Sequence, residues 1–272
     1  MFAVDIFGDK ARLYRFDLSC VVISDIIHFR KDPTHLDEFF SRYSLLSPTQ
    51  RGYDPIVVPT SALETALYFE RARRLNLRTH PDVKKLDGEV VKIQVNDQRG
   101  KSRWYLASRC STSPVNSLPC GRFTRGFIAV PLASGEHGSH KSRARSEKGR
   151  LFWLKDNWRP SSSESEVSVH RRLKAKGVPN LPNIACGGDV SVSGIIQETI
   201  DDTILAHSEA DSWLRPLANG TIQHMIHHRI VSGILIPLDH VKNAKDLLLT
   251  GRDVLKSMIS LVSHSHLYSH AF

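Results

Sequence analysis

The sequence predicts an α+β chain in which short antiparallel strands alternate with a small number of helices. Residues 91–95 alternate strictly between apolar and polar side chains, and a turn at 96–100 leads into a partner strand at 103–107, which is a β-hairpin pattern. Residues 2–29 form short β-branched and aromatic runs separated by turn residues, as in a β-meander. Between these regions apolar residues recur at helical spacing, so the chain mixes strands and helices.

Two helices are expected before the hairpin. Thr34 and Asp37 approximate a capping box at the start of the first helix. The second helix follows Ser61, with Glu64 at the reciprocal capping position. After the hairpin, Gly177 is a predicted helix stop. The remaining predicted elements are strands at 121–130, 151–154, 190–199 and 228–236 and helices at 163–176 and 246–268.

Positive charge is concentrated in the middle of the chain. The net charge is +9, from 37 Lys and Arg against 28 Asp and Glu, and residues 101–176 alone hold 16 basic and 5 acidic residues. Within them, residues 134–149 are rich in Gly, Ser and charge and predict a flexible surface insertion. A nucleic-acid-binding protein is the alternative that this charge leaves open, but no known nucleic-acid motif accompanies it. We expect phosphate to be the anionic partner, and not nucleic acid.

Composition also bears on cellular location. No apolar run reaches the roughly 18–20 residues that span a bilayer, and the chain start has an early Asp5 and no cationic leader, so neither a membrane segment nor a secretory signal is expected. Four cysteines without a C-x-x-C pair predict neither a disulfide scaffold nor a zinc module. The histidines form two groups, one at positions 224, 227 and 228 and the other at positions 264, 266 and 270. Neither group has the spacing of a metal site, so both are expected at the surface. We expect an intracellular protein, cytoplasmic or nuclear.

A glycine-containing segment suggests a phosphate-binding loop. Gly121, Phe123, Gly126 and Ile128 match the spacing G-x-G-x-x-G-x-V of protein kinases, with Phe123 in place of the middle glycine. Glycine lets backbone N–H groups approach phosphate oxygens because no Cβ stands in the way. An ordinary hairpin with two glycines is the competing interpretation.

A lysine and a glutamate follow in the order that a kinase requires. Lys155 lies at the end of an apolar strand, where a buried ammonium needs an anion, although a lysine that extends to solvent is equally compatible. Glu166 lies on the next predicted helix, where it could pair with Lys155 and hold it on nucleotide phosphates. Ser163 and Glu166 also form a capping-box pattern, and Glu164 is a possible substitute for Glu166.

Seven colinear strings between residues 10 and 189, within matches that extend from about residue 3 to residue 268, are specific as a set. They are KARLYRFD at 10–17, LSPTQRGYDP at 46–55, GRFTRG at 121–126, FWLKDNWR at 152–159, VHRRL at 169–173, GVPNLP at 177–182 and GD at 188–189. By these strings the sequence resembles the fungal-type protein kinase family. The resemblance covers nearly the whole chain.

The resemblance implies a fold and a function. Residues 1–87 would be the accessory N-terminal region of the family, a β/α unit. Residues 88–236 would form a protein-kinase-like small lobe, an antiparallel sheet plus one helix, with the hinge at 234–237, and residues 237–272 would begin an incomplete large lobe. The family transfers phosphate from ATP, with Mg²⁺, to Ser or Thr of protein substrates. Gly121, Phe123, Gly126, Ile128, Lys155 and Glu166 would then bind the nucleotide.

Part of the kinase machinery has no counterpart in the sequence. The strings His-Arg-Asp, Asp-Phe-Gly and Ala-Pro-Glu do not occur, so no residue is assigned to proton acceptance or to Mg²⁺ binding. We expect the chain to be truncated before the catalytic loop and not to transfer phosphate by itself. It would be either a shortened product of an active parent or a degenerate member that binds nucleotide or a protein partner.

Overall fold

The computed structural model describes residues 2–19, 21–74, 89–109, 123–132, 150–199, 223–234, 241 and 243–263. Within these residues the chain forms twelve strands and four helices, which confirms the α+β prediction. The strands are β1 Phe2–Phe7, β2 Lys10–Phe16, β3 Val21–Ile23, β4 Val57–Pro59, β5 Val90–Asn96, β6 Ser102–Arg109, β7 Arg125–Pro131, β8 Phe152–Pro160, β9 Ile184–Asp189, β10 Ser191–Val192, β11 Ile195–Ile196 and β12 Met225–Gly233. The helices are α1 Thr34–Leu45, α2 Ala62–Arg74, α3 Glu166–Ala175 and α4 Ala244–Ser263.

The N-terminal unit is a three-stranded antiparallel sheet, β1–β2–β3, with α1 packed beside it. Phe2 of β1 contacts Phe39 of α1 edge-on, at 6.0 Å between ring centroids. The predicted Thr34–Asp37 capping box is wrong. Pro33 is the N-cap residue, and the carboxylate of Asp32 accepts the Thr34 N–H at 3.0 Å instead.

The main sheet, as far as the chain is described, has seven antiparallel strands in the order β4–β5–β6–β7–β8–β12–β9. Strands β4 to β8 form a meander, and β12 then inserts between β8 and β9. The predicted hairpin at 90–107 is confirmed as β5 and β6. The sheet curls until β5 approaches the far edge, where the Asn96 amide donates to Ser191 Oγ at 2.8 Å.

Alternation along the strands gives this sheet two apolar faces. The inner face, defined by Tyr105, Phe127, Ala129 and Leu154, is enclosed by the curl of the sheet. The opposite face carries α2 and α3 and is called the helix face. Its cluster of buried residues consists of Tyr68, Ala72, Val90, Leu106, Ile128, Val130 and Leu151.

Helix boundaries follow local chemistry. Helix α2 begins as predicted, because Glu64 accepts the Ser61 N–H at 2.8 Å and Ser61 Oγ accepts the Glu64 N–H at 3.2 Å. Gly177, with φ +74°, follows α3 as predicted. Helix α4 exposes Val254 and Met258. No helix among the described residues is long and apolar enough to cross a membrane.

Candidate functional site

Lys155 lies on the helix face of β8. It occupies the middle of this strand and not its end as expected, opposite Gly126 of β7 on one side and Ile230 of β12 on the other. Its ammonium forms an ion pair with the carboxylate of Glu166. The Lys155 side chain is 30% exposed and that of Glu166 49%, so both groups remain accessible to solvent.

Glu166 reaches Lys155 because it is the first residue of α3. The predicted Ser163–Glu166 capping box is wrong, since Ser165 is the N-cap residue and accepts the Ser168 N–H at 3.2 Å. Local capping therefore does not account for the position of Glu166. Glu164 pairs with Arg172 at 2.6 Å, so the structure pairs Glu166, and not Glu164, with the strand lysine.

A glycine on β9, which lies beyond β12 from Lys155, lets α3 approach the sheet closely enough for this ion pair. A Cβ on Gly187 would lie 2.8 Å from Val167 Cγ2 and 2.9 Å from the carbonyl oxygen of Arg229. Any larger residue would push the first turn of α3 away from the sheet. Val167, the buried residue of α3, rests on this glycine directly after Glu166.

The residues of the predicted glycine loop are only partly described. Gly121 lies outside the described residues. Phe123 has φ +25°, in the left-handed region, and its ring lies 5.7 Å from the guanidinium of Arg125. Gly126 lies within β7 and is covered by the indole of Trp153, because a Cβ there would be 2.2 Å from the Trp153 ring. Packing against Trp153 is thus one reason for glycine at position 126.

Ile128 lies on the same face as Lys155 but is fully buried under α2. The hydroxyl of Tyr68, also fully buried, donates to the Ile128 carbonyl oxygen at 3.2 Å. Arg71 of α2 donates to the Pro131 carbonyl oxygen at 2.8 Å.

A second group of functional-type side chains lies on the inner face and was not predicted. Asp156, next to Lys155, is 1% exposed and receives hydrogen bonds from His227 Nε2 at 2.5 Å and from Arg229 Nε at 3.1 Å. Arg229 is fully buried and also forms an ion pair with Asp54, from the segment before β4. Arg125 completes the group at 2.5 Å from Asp156. These five residues are called the inner ion network.

The inner ion network keeps the carboxylate of Asp156 ionised. Burial alone would raise the pKa of Asp156, but the neighbouring His227 and Arg229 outweigh burial and hold the pKa well below its usual range. The ring of His227 also stacks on Trp158 at 4.6 Å between centroids. Because Asp54 pairs with Arg229, and Asp156 pairs with both Arg229 and Arg125, the network has the character of a structural anchor that ties Asp54 to the sheet.

A related cluster on the helix face joins two of the characteristic strings. Asp189 accepts two hydrogen bonds from Arg159, at 3.0 and 2.7 Å, and lies 2.9 Å from His228 Nδ1. Burial raises the pKa of Asp189, but the hydrogen bonds from His228 and Arg159 outweigh it and lower that pKa to about 2. The expectation of surface histidines is wrong for His227 and His228, which are 2% and 0% exposed.

The sequence contains one signal that indicates these buried clusters. His227, His228 and Arg229 stand inside an otherwise apolar strand, where charged side chains require partners. Among the described residues, no three Asp, Glu, His or Cys side chains are grouped so as to hold a metal ion. The second histidine group, at 264–270, lies outside the described residues.

The arrangement at Lys155 offers an accessible ammonium, fixed by a helix carboxylate, beside a strand glycine. Such a pair can orient a lysine toward phosphate oxygens. The family model of the fungal protein kinases matches residues 1–269. No match was found among curated proteins or among solved structures. With the model matching nearly the whole chain, the chain belongs to the fungal protein kinase family.

Proposed function

We propose that this chain carries the nucleotide-binding lobe of a fungal-type protein kinase and binds ATP on the helix face around Lys155. The observation that carries the proposal is the ion pair between Lys155 on β8 and Glu166 on the following helix. Protein kinases use such a pair to hold a strand lysine on the nucleotide phosphates. In this proposal residues 88–236 form the small lobe, and residues 1–87 are an accessory region that adds β4 and α2 to it.

The residues around Lys155 fit the phosphate end of a nucleotide. Lys155 is solvent-accessible and has the Glu166 carboxylate to orient it. Gly121 and Phe123 would supply backbone N–H groups to the phosphates, Gly126 would line the site directly opposite Lys155 on the next strand, and Ile128 would contact the base. Magnesium would arrive with the nucleotide, whose phosphate oxygens provide most of its ligands.

The reaction class proposed for the family is phosphoryl transfer from ATP to Ser or Thr of a protein. In that reaction the protein contributes position and charge, and Lys155 would neutralise phosphate charge. The sequence offers no His-Arg-Asp string to accept the substrate proton, so this chain is proposed to bind nucleotide and not to turn it over by itself. A role in binding a partner protein through this lobe is the alternative.

The test is thermal unfolding of the purified full chain with and without millimolar Mg-ATP. We expect the nucleotide to raise the melting temperature, because a ligand that binds the folded state stabilises it. Lys155→Met should abolish the shift. Lys174→Met, which removes an exposed lysine of α3, is the matched control and should leave it unchanged.

Two outcomes would overturn the proposal. One is that Mg-ATP does not shift the melting temperature of the wild-type chain or of the α2 variant Ala72→Gln. The other is that Lys155→Met keeps a full shift, which would place any nucleotide site elsewhere.

A further inference from the structure

Helix α2 occupies the part of the helix face that adjoins Lys155. Tyr68 is fully buried and Ala72 is 2% exposed, and both pack on Ile128, which is fully buried as well. Trp153 extends this layer over Gly126, and Ile234 packs against it from the end of β12. A continuous apolar layer therefore covers the sheet from α2 to the strand position opposite Lys155.

The covered surface is the one that a nucleotide at Lys155 would need. Gly126 lies directly opposite Lys155, and Ile128 lies two residues further along β7, about 7 Å away at the rise of a strand. A nucleotide with its phosphates at Lys155 extends over a distance of this size before its base begins. The base would then meet the site where the Tyr68 ring lies.

The segment that precedes α2 is held to the sheet independently of the helix. The chain before α2 is anchored twice by other contacts, through pairing of β4 with β5 and through the ion pair of Asp54 with Arg229. Few polar contacts join α2 to the sheet. Two lie toward its ends, where water can replace them: the Glu64–Lys92 ion pair at 2.9 Å and the hydrogen bond from Arg71 to the Pro131 carbonyl oxygen at 2.8 Å. The third is buried at the middle of the helix, where the Tyr68 hydroxyl donates to the Ile128 carbonyl oxygen at 3.2 Å, and nucleotide would have to displace it.

From these observations we infer that α2 and nucleotide compete for the same surface, so that α2 is an internal cover of the nucleotide site. This inference rests on the proposed function and concerns its regulation. While α2 is docked, only the phosphate end of the site is accessible. The measured affinity is then reduced by the fraction of molecules in which α2 has moved away.

The test compares two glutamine substitutions on α2 by calorimetric titration of the full chain with Mg-ATP. Ala72→Gln places a larger polar side chain between α2 and the sheet and should displace the helix. We expect a dissociation constant about tenfold lower than that of the wild type, which corresponds to α2 being docked in about nine of ten wild-type molecules. Leu63→Gln is the matched control, because Leu63 is 84% exposed, and should bind as the wild type does.

The outcomes separate this inference from the proposed function. If the wild type binds Mg-ATP through Lys155 but Ala72→Gln binds no more tightly, α2 is a permanent part of the core and only the inference fails. If neither protein binds, both fail. If Ala72→Gln binds more tightly but Lys155→Met in the same background does not weaken it, the site is not at Lys155 and both fail again.

Hydrogen exchange of the wild-type chain provides a readout without substitution. Saturating Mg-ATP should speed exchange of the α2 amides while those of β8 stay protected, because the nucleotide takes the place of the helix. Slower or unchanged exchange in α2 on binding would contradict competition. This measurement decides the question even if Ala72→Gln does not fold.

Discussion

Arg229 is the residue whose loss the inner ion network should tolerate least. Its side chain is fully buried and donates to Asp156, to the Gln94 carbonyl oxygen at 2.9 Å and to Asp54. Arg229→Met keeps a side chain of similar volume at position 229 but removes one of the three basic partners of Asp156. Removing one partner of a buried pair typically costs about 3–5 kcal/mol, and because His227 and Arg125 remain, we expect about 3 kcal/mol here.

The assay is urea unfolding followed by circular dichroism, with a double-mutant cycle. Asp156→Asn alone should also destabilise the chain, but combined with Arg229→Met it should cost about 1–3 kcal/mol less than the sum of the two single changes, because the second change removes the unpaired charge. Arg252→Met is the control: Arg252 is 55% exposed and pairs with its neighbour Asp253, so a change within about 0.5 kcal/mol is expected.

Two results would refute this reasoning. If Arg229→Met costs less than about 1 kcal/mol, the buried network does not anchor the fold as the structure indicates. If the two changes are additive, Arg229 and Asp156 are not coupled, and the stability of the sheet has another origin.

The remaining predictions concern two glycines and the response to acid. Gly126→Ala should destabilise the chain by about 1–3 kcal/mol in urea unfolding, and Trp153→Leu in the same protein should recover part of that loss; absence of recovery would contradict the contact. Gly187→Ala should weaken Mg-ATP binding by displacing the helix that carries Glu166, and unaltered binding would contradict this. Val167→Ala should restore binding only in part, because the new Cβ would still lie 2.9 Å from the Arg229 carbonyl oxygen. Because the folded-state pKa of Asp189 is lowered from 3.8 to about 2, its stabilisation is complete above about pH 5 and is lost as the pH falls from about 4 to 2. Asp189→Asn should flatten the acid limb of the stability curve in that window, and an unchanged limb would count against the assignment.

Local patterns explain why much of the fold was predictable from sequence. The hairpin of β5 and β6 depends on the alternation of residues 91–95 and on a turn, all within one segment. The pairing of Lys155 with Glu166 spans eleven positions and follows from the order of a strand and the next helix. In both cases neighbouring residues carry the information.

Contacts between distant segments explain what sequence reasoning missed. Strand β9 contains Gly187 and Gly188, which have low strand propensity, yet it pairs with β12. The glycine at position 188 is needed for contact with a distant segment, because a Cβ there would be 3.0 Å from the Asn96 carbonyl oxygen of β5. Asp54 and Arg229 lie 175 positions apart, so nothing local shows their pairing. The cover of Ile128 by Tyr68 likewise arises only from packing of α2 on the sheet.

The most direct test of the nucleotide-site proposal is a comparison of two glutamates at the start of α3. Glu166 pairs with Lys155 and Glu164 pairs with Arg172, so Glu166→Gln and Glu164→Gln remove the same charge two positions apart. In Mg-ATP titrations of the full chain, we predict that Glu166→Gln weakens binding about tenfold, while Glu164→Gln binds as the wild type does. Equal affinities for the two variants would contradict a nucleotide site organised by the Lys155–Glu166 pair.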